Sequence, residues 1–194
     1  MSSAEKKPFS IEEETPLAYF EKLVEFIYDP WYARFLRRIS ARYERAKIPE
    51  EIELMPFFVD SLIFETFIDR KTPLDRFIEH YQAQLKPRQL KIYQRFKTSA
   101  LGCYEILERH KPDRLLLRDL LDDSPVEVHD GEAWRYMMPG FYAICRLLPY
   151  EDSLVLTGSC AVLNYKTREE VLALAREFKH PPLFVEGESR PASP

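Results

Sequence analysis

Glycine is scarce in this chain, with only 5 among 194 residues. Loops that cradle phosphate need the backbone to come close to the ligand, which glycine permits. Its scarcity argues against a nucleotide-binding loop. Cysteine is scarcer still: Cys103, Cys145 and Cys160 are far apart and show no CxxC spacing. An odd count without a secretion signal points to reduced thiols in a cytosol. The chain also lacks a long apolar run. The most apolar stretch, 55–64, is interrupted by Asp60 and Ser61 and is too short to span a bilayer. The first nine residues are polar and charged, without the apolar core of a signal peptide. Neither charge sign dominates, since the formal net charge is -4. The chain as a whole therefore carries no nucleic-acid signature. No catalytic, cofactor or metal motif is present, so no cofactor is expected.

Proline, by contrast, is plentiful at 15 residues. Thr15-Pro16, Asp29-Pro30 and Thr72-Pro73 each set a capping residue before a proline. The side-chain oxygen takes an orphan N–H at a helix start, and proline has none to lose. These signals predict helices over 16–28, 30–47, 50–69, 73–85 and 87–97. Leu17, Phe20, Leu23, Val24 and Ile27 stripe the first helix; Phe35, Leu36, Ile39 and Tyr43 stripe the second. The third is apolar nearly all round, which places it at the centre of the group. Thr167 and Glu170 form a capping box that opens a last helix to about 179.

Between these helical parts the pattern changes period. Runs over 103–108, 115–121, 126–129, 141–148 and 154–163 alternate apolar and polar residues, separated by turn signals such as Asp130-Gly131. Short strands at this spacing predict a small antiparallel barrel or strongly curled sheet. The expected fold is α+β. A bundle of about five helices (15–98) precedes a five-stranded β module (99–165), and a C-terminal helix (166–180) packs on the rest. Residues 1–14 read as a flexible lead and 187–194 as a disordered tail.

The order of the Leu115–Leu121 run, Val126-Glu127-Val128, the Pro139–Pro149 run and Leu156-Thr157-Gly158-Ser159 is similar to a β module in uncharacterised bacterial proteins. Some of those proteins also carry a SecA-type C-terminal zinc motif, and in them too a helical segment precedes the module. The resemblance covers roughly 55–165 and implies the same fold, but it brings no activity with it. Two departures stand out. The zinc motif is absent here, and the turn after Leu121 is Asp-Asp-Ser-Pro where a Thr-Gly type is expected.

Several residues are candidates for function. Arg34, Arg37, Arg38, Arg42 and Arg45 fall on one face of the second helix at 100° per residue. The fifth helix adds Lys91 and Arg95, with no acid over 86–97. Two basic helices can track a phosphate backbone. The plainer reading is a solvated face whose charges pair with acidic segments such as Glu50, Glu51 and Glu53. Trp134, Arg135 and Tyr136 sit in the longest loop of the β module. Loop aromatics there can grip a peptide or stack bases, or plug an open end of the sheet together with Met137 and Met138. Arg146 and the pair Arg118-Asp119 are charges inside apolar strands, and Asp119 with Arg146 would make a structural ion pair. Glu65, Asp69, Glu79 and His80 lack the helical spacing of a metal pair. Gly158-Ser159-Cys160 reads as continuing strand, not as a nucleophile elbow.

The function expected is a cytoplasmic binding or adaptor protein with a protein partner and no membrane association. A nucleic-acid-binding accessory role is the alternative.

Overall fold

The computed structural model describes residues 9–44, 46–110, 112–164 and 166–187. Five helices come first: α1 (Pro16–Ile27), α2 (Pro30–Tyr43), α3 (Met55–Glu65), α4 (Pro73–Tyr81) and α5 (Pro87–Phe96). Strand β1 (Thr66–Ile68) lies between α3 and α4. Then come β2 (Leu101–His110), β3 (Arg114–Asp119), β4 (Pro125–His129), the short helix α6 (Ala133–Tyr136), β5 (Tyr142–Tyr150) and β6 (Ser153–Leu163). Helix α7 (Arg168–Phe178) and strand β7 (Leu183–Val185) follow.

The helix starts follow the capping chemistry. The side chains of Thr15, Asp29 and Thr72 accept from the N–H groups of Ala18, Trp31 and Asp75 at 3.2, 2.8 and 3.1 Å. Thr72 and Asp75 form a full capping box, in which Asp75 accepts from the Thr72 N–H at 2.9 Å. Burial pushes the Asp75 carboxyl upward, but hydrogen bonds from Lys97 and Thr72 outweigh it and hold the group below its usual range. A depressed folded value means stability that is present above the unfolded value of about 4. That stability is lost as pH falls through the folded value. Asp75→Asn is therefore expected to cost about 1 kcal/mol at neutral pH. The gap from the parent should close in acid, which urea unfolding at both pH values checks.

The third helix is shorter than the sequence pattern suggests. It ends at Glu65, and Thr66, Phe67 and Ile68 become a strand paired in parallel with Leu183, Phe184 and Val185. Continuous apolar character does not distinguish a buried helix from a short buried strand. The Thr66 hydroxyl donates to the Ser61 carbonyl at 3.1 Å, and the chain turns through Asp69 and Arg70, both at positive φ. Asp69 then holds β7, accepting from the Gly187 N–H at 2.8 Å.

The five central strands form an antiparallel sheet in the order β4-β3-β2-β5-β6. Its two edges, β4 and β6, curl toward each other. Asp130, just past β4, accepts from the Leu156 N–H of β6 at 3.3 Å. The sheet is thus nearly closed and barrel-like, as the strand pattern predicts.

Both faces of the sheet are buried. Cys103, Ile144, Leu148, Val155 and Ala161 share one continuous core with buried residues of α1 to α5 and α7. The five N-terminal helices therefore do not close on a core of their own; they form a layer on the sheet. Tyr104, Ile106, Leu117, Val128, Cys145 and Leu147 point the other way and fill the interior of the curl. Space there is tight: a Cβ on Gly102 would collide with the Tyr104 ring and hydroxyl. Helix α3 sits at the centre, touching α1, α2, α4, β1 and β6. Of the N-terminal segment, residues 9–14 make contacts with the core. Phe9 packs edge-on to Phe77 at 5.9 Å, and the Glu14 carbonyl accepts from Tyr150 at 2.6 Å. Most of the expected tail, 188–194, lies outside the described residues.

Candidate functional site

Three features of the molecule could carry function: a buried charge cluster under α3, the loop that holds α6, and the basic faces of α2 and α5.

The cluster is built around Arg146, on the helix-facing side of β5 and only 1% exposed. Its guanidinium is ion-paired with Asp60 and Glu65 of α3. It also donates to the Ser99 carbonyl at 3.0 Å and lies 4.6 Å from the centre of the Phe64 ring. Opposite Arg146, strand β6 bulges. Cys145 pairs with Cys160 and Leu147 with Leu156, so residues 157–159 face Arg146 alone. The bulge brings buried Ser159 onto Asp60. Burial pushes the Asp60 carboxyl above its usual range, against the opposing pull of Arg146. The cluster is hydrogen-bonded to α3 and to the Ser99 carbonyl, and Arg146, Asp60 and Ser159 are all buried. It clamps the helical layer to the sheet.

Arg146 therefore does not meet Asp119, the partner its sequence context suggests. Asp119 instead accepts from the Leu121 N–H at 2.8 Å, capping the end of β3. Asp60 and Ser159 are the residues that sequence reasoning missed. Their signal was a carboxylate inside an otherwise apolar helix, since such a group survives burial only beside a cation. Gly158-Ser159-Cys160 lies within β6, as its pattern predicts, at the bulge. Among the described residues, no group of three or more His, Cys, Asp or Glu side chains is placed to hold a metal.

The α6 loop is anchored from both ends. The Asp130 carboxylate accepts from the Glu132 and Ala133 N–H groups at 3.0 and 2.9 Å, while also holding Leu156. Ala133 and Met137 are buried in the interior of the curled sheet, with Trp134 packed beside them. The Arg109 guanidinium lies 4.2 Å from the centre of the Trp134 ring. Trp134 and Met137 thus plug the sheet. Tyr136 and Met138, the alternate residues, remain 48% and 43% exposed, and Arg135 is exposed beside them.

The basic helices are more occupied than their sequences imply. On α5, Arg88 is ion-paired with Glu14 and Glu151 and Arg95 donates to the Glu151 carbonyl, while Lys97, which caps the helix, is paired with Asp75. Lys91 is exposed. On α2, Arg42 is half-buried and donates to the Pro181 carbonyl at 2.7 Å. Arg34, also half-buried, lies 5.1 Å from the centre of the Trp31 ring. Arg37 and Arg38 are exposed, and Arg45 lies outside the described residues. The acids that meet Arg88 and Lys97, namely Glu14, Glu151 and Asp75, come from residues distant in sequence.

Comparison with known proteins bears on this arrangement. The model of a family of unknown function, DUF7986, matches residues 32–181, well over half of the chain. The chain belongs to this family. The DUF7986 region runs from α2 through α7, so it holds the whole five-stranded sheet, the Arg146 cluster and the α6 loop. No curated protein and no solved structure matches the chain. No helix among the described residues is long and apolar enough to cross a membrane.

Proposed function

We propose that this protein is a binding or adaptor protein that engages a protein partner through the α6 loop. The observation that carries the reading is the split character of that loop. Ala133 and Met137 lock it to the interior of the sheet, while Tyr136 and Met138 face solvent beside Arg135. Aromatic, methionine and arginine side chains are enriched at protein interfaces. A loop pre-organised on a rigid scaffold also loses little entropy on binding. The setting that goes with this reading is a bacterial cytosol, on the strength of the resemblance of the β module.

The second reading is a nucleic-acid accessory role. Exposed Arg37 and Arg38 on α2 favour it, while the ion pairs of Arg88 and Lys97 weaken the contribution of α5. Titration of labelled single-stranded and duplex oligonucleotides by fluorescence anisotropy separates the two. The protein-partner reading expects no binding at low salt. Binding that weakens steeply with salt, and is lost in an Arg37→Glu, Arg38→Glu variant, would replace it with the second reading.

A further inference from the structure

Cys145 and Cys160 are far apart in sequence but directly opposite each other on β5 and β6. Their side chains share the interior side of the curled sheet. Cys145 is fully buried, and Cys160 is partly exposed. Cys103 lies on the opposite face of the sheet, in the core shared with the helices. Directly opposed residues on antiparallel strands have Cα atoms about 4.5–5.5 Å apart, within the disulfide range of about 4.4–6.8 Å.

We propose that Cys145 and Cys160 form a reversible dithiol–disulfide site that closes under peroxide-class oxidants, with Cys103 left as a thiol. The exposure of the two groups sets the order of events. The partly exposed Cys160 thiolate attacks one peroxide oxygen; the O–O bond breaks, water leaves and a sulfenic acid forms. The Cys145 sulfur then attacks the Cys160 sulfur, and the S–O bond breaks. The second water leaves with the thiol proton. Two thiols and one hydrogen peroxide give one disulfide and two waters. Cys145 is buried away from solvent and sits directly opposite Cys160, which suits it to the resolving step and not the first attack.

Opposed Cβ atoms on paired strands are about 4.5–5.5 Å apart, against about 3.8 Å in a relaxed disulfide. Closure therefore draws the strands together and leaves a bond that is readily reduced. The site adjoins both Arg146 and the bulge that presents Ser159 to Asp60. Its oxidation thus acts where the sheet is clamped to α3.

The test is treatment of the full chain with hydrogen peroxide, denaturation, alkylation of the remaining thiols, and intact-mass and peptide analysis. The expected result is a fall from three alkylatable thiols to one, a mass loss of two hydrogens, and a linked peptide pair containing Cys145 and Cys160. A thiol reductant should restore all three. Cys103→Ser should leave the closure intact, and Cys160→Ser should abolish it. The parent protein alone decides the matter if a variant fails to fold. Three thiols remaining, a link that includes Cys103, or a sulfinic Cys160 beside a free Cys145 would each overturn the proposal.

Discussion

Arg146→Met is expected to destabilise the protein by about 3–5 kcal/mol, measured by urea unfolding at neutral pH. The substitution leaves Asp60, itself only 2% exposed, without its cation. A buried carboxylate without a partner is among the most costly defects a core can carry. The loss should depend on pH. The folded value of Asp60 is raised by burial. Its contribution is therefore fully present below the unfolded value of about 4 and is lost as pH rises through the folded one. Removing Arg146 exaggerates this trend, so the variant should be closest to the parent in acid. A triple variant, Arg146→Met with Asp60→Leu and Glu65→Met, should recover most of the loss, because apolar packing can replace a buried ionic cluster. A loss below about 1 kcal/mol for the single variant, the range of exposed pairs, would show that the cluster does not clamp the helices to the sheet.

Phe178→Ala is expected to cost a similar amount, about 3–5 kcal/mol. The Phe178 ring is 1% exposed and lies 4.5 Å from Phe57 and 6.2 Å from Tyr43, between ring centres. The Phe178 carbonyl accepts from the Tyr43 hydroxyl at 3.3 Å. The C-terminal helix is thus part of the same core as α2 and α3. The unfolding curve should stay a single transition at a lower urea midpoint. An early, separate transition, or a loss below about 1 kcal/mol, would mean that α7 is only loosely attached.

These two residues also show how much the sequence reveals. The element order was legible because its signals are local. Thr, Asp and Pro mark the helix starts, and alternation with turn residues marks the five central strands. The strand at Thr66–Ile68 was not, because its pairing partner lies at Leu183–Val185. No local pattern separates three β-branched or aromatic residues at the end of an apolar helix from one more helical turn. The partner of Arg146 was misread for the same reason. Asp119 lies in the same run of strands, whereas Asp60 lies in a helix far upstream and meets Arg146 only once α3 lies across β5 and β6. The basic helices make the point for charge. No acid lies within 86–97, yet Glu14, Asp75 and Glu151 meet its cations in the fold. The plug at Trp134 and Met137 was visible as an alternative, since apolar residues in a loop need a surface to cover.

The most direct test of the protein-partner reading places a photo-reactive residue at Tyr136 in the cell of origin. A control at Leu17, which is 57% exposed on α1, far along the chain, accompanies it. The account predicts a discrete protein adduct from position 136 that resists nuclease and is absent from position 17. A nuclease-sensitive adduct, no adduct, or the same adduct from both positions would contradict it.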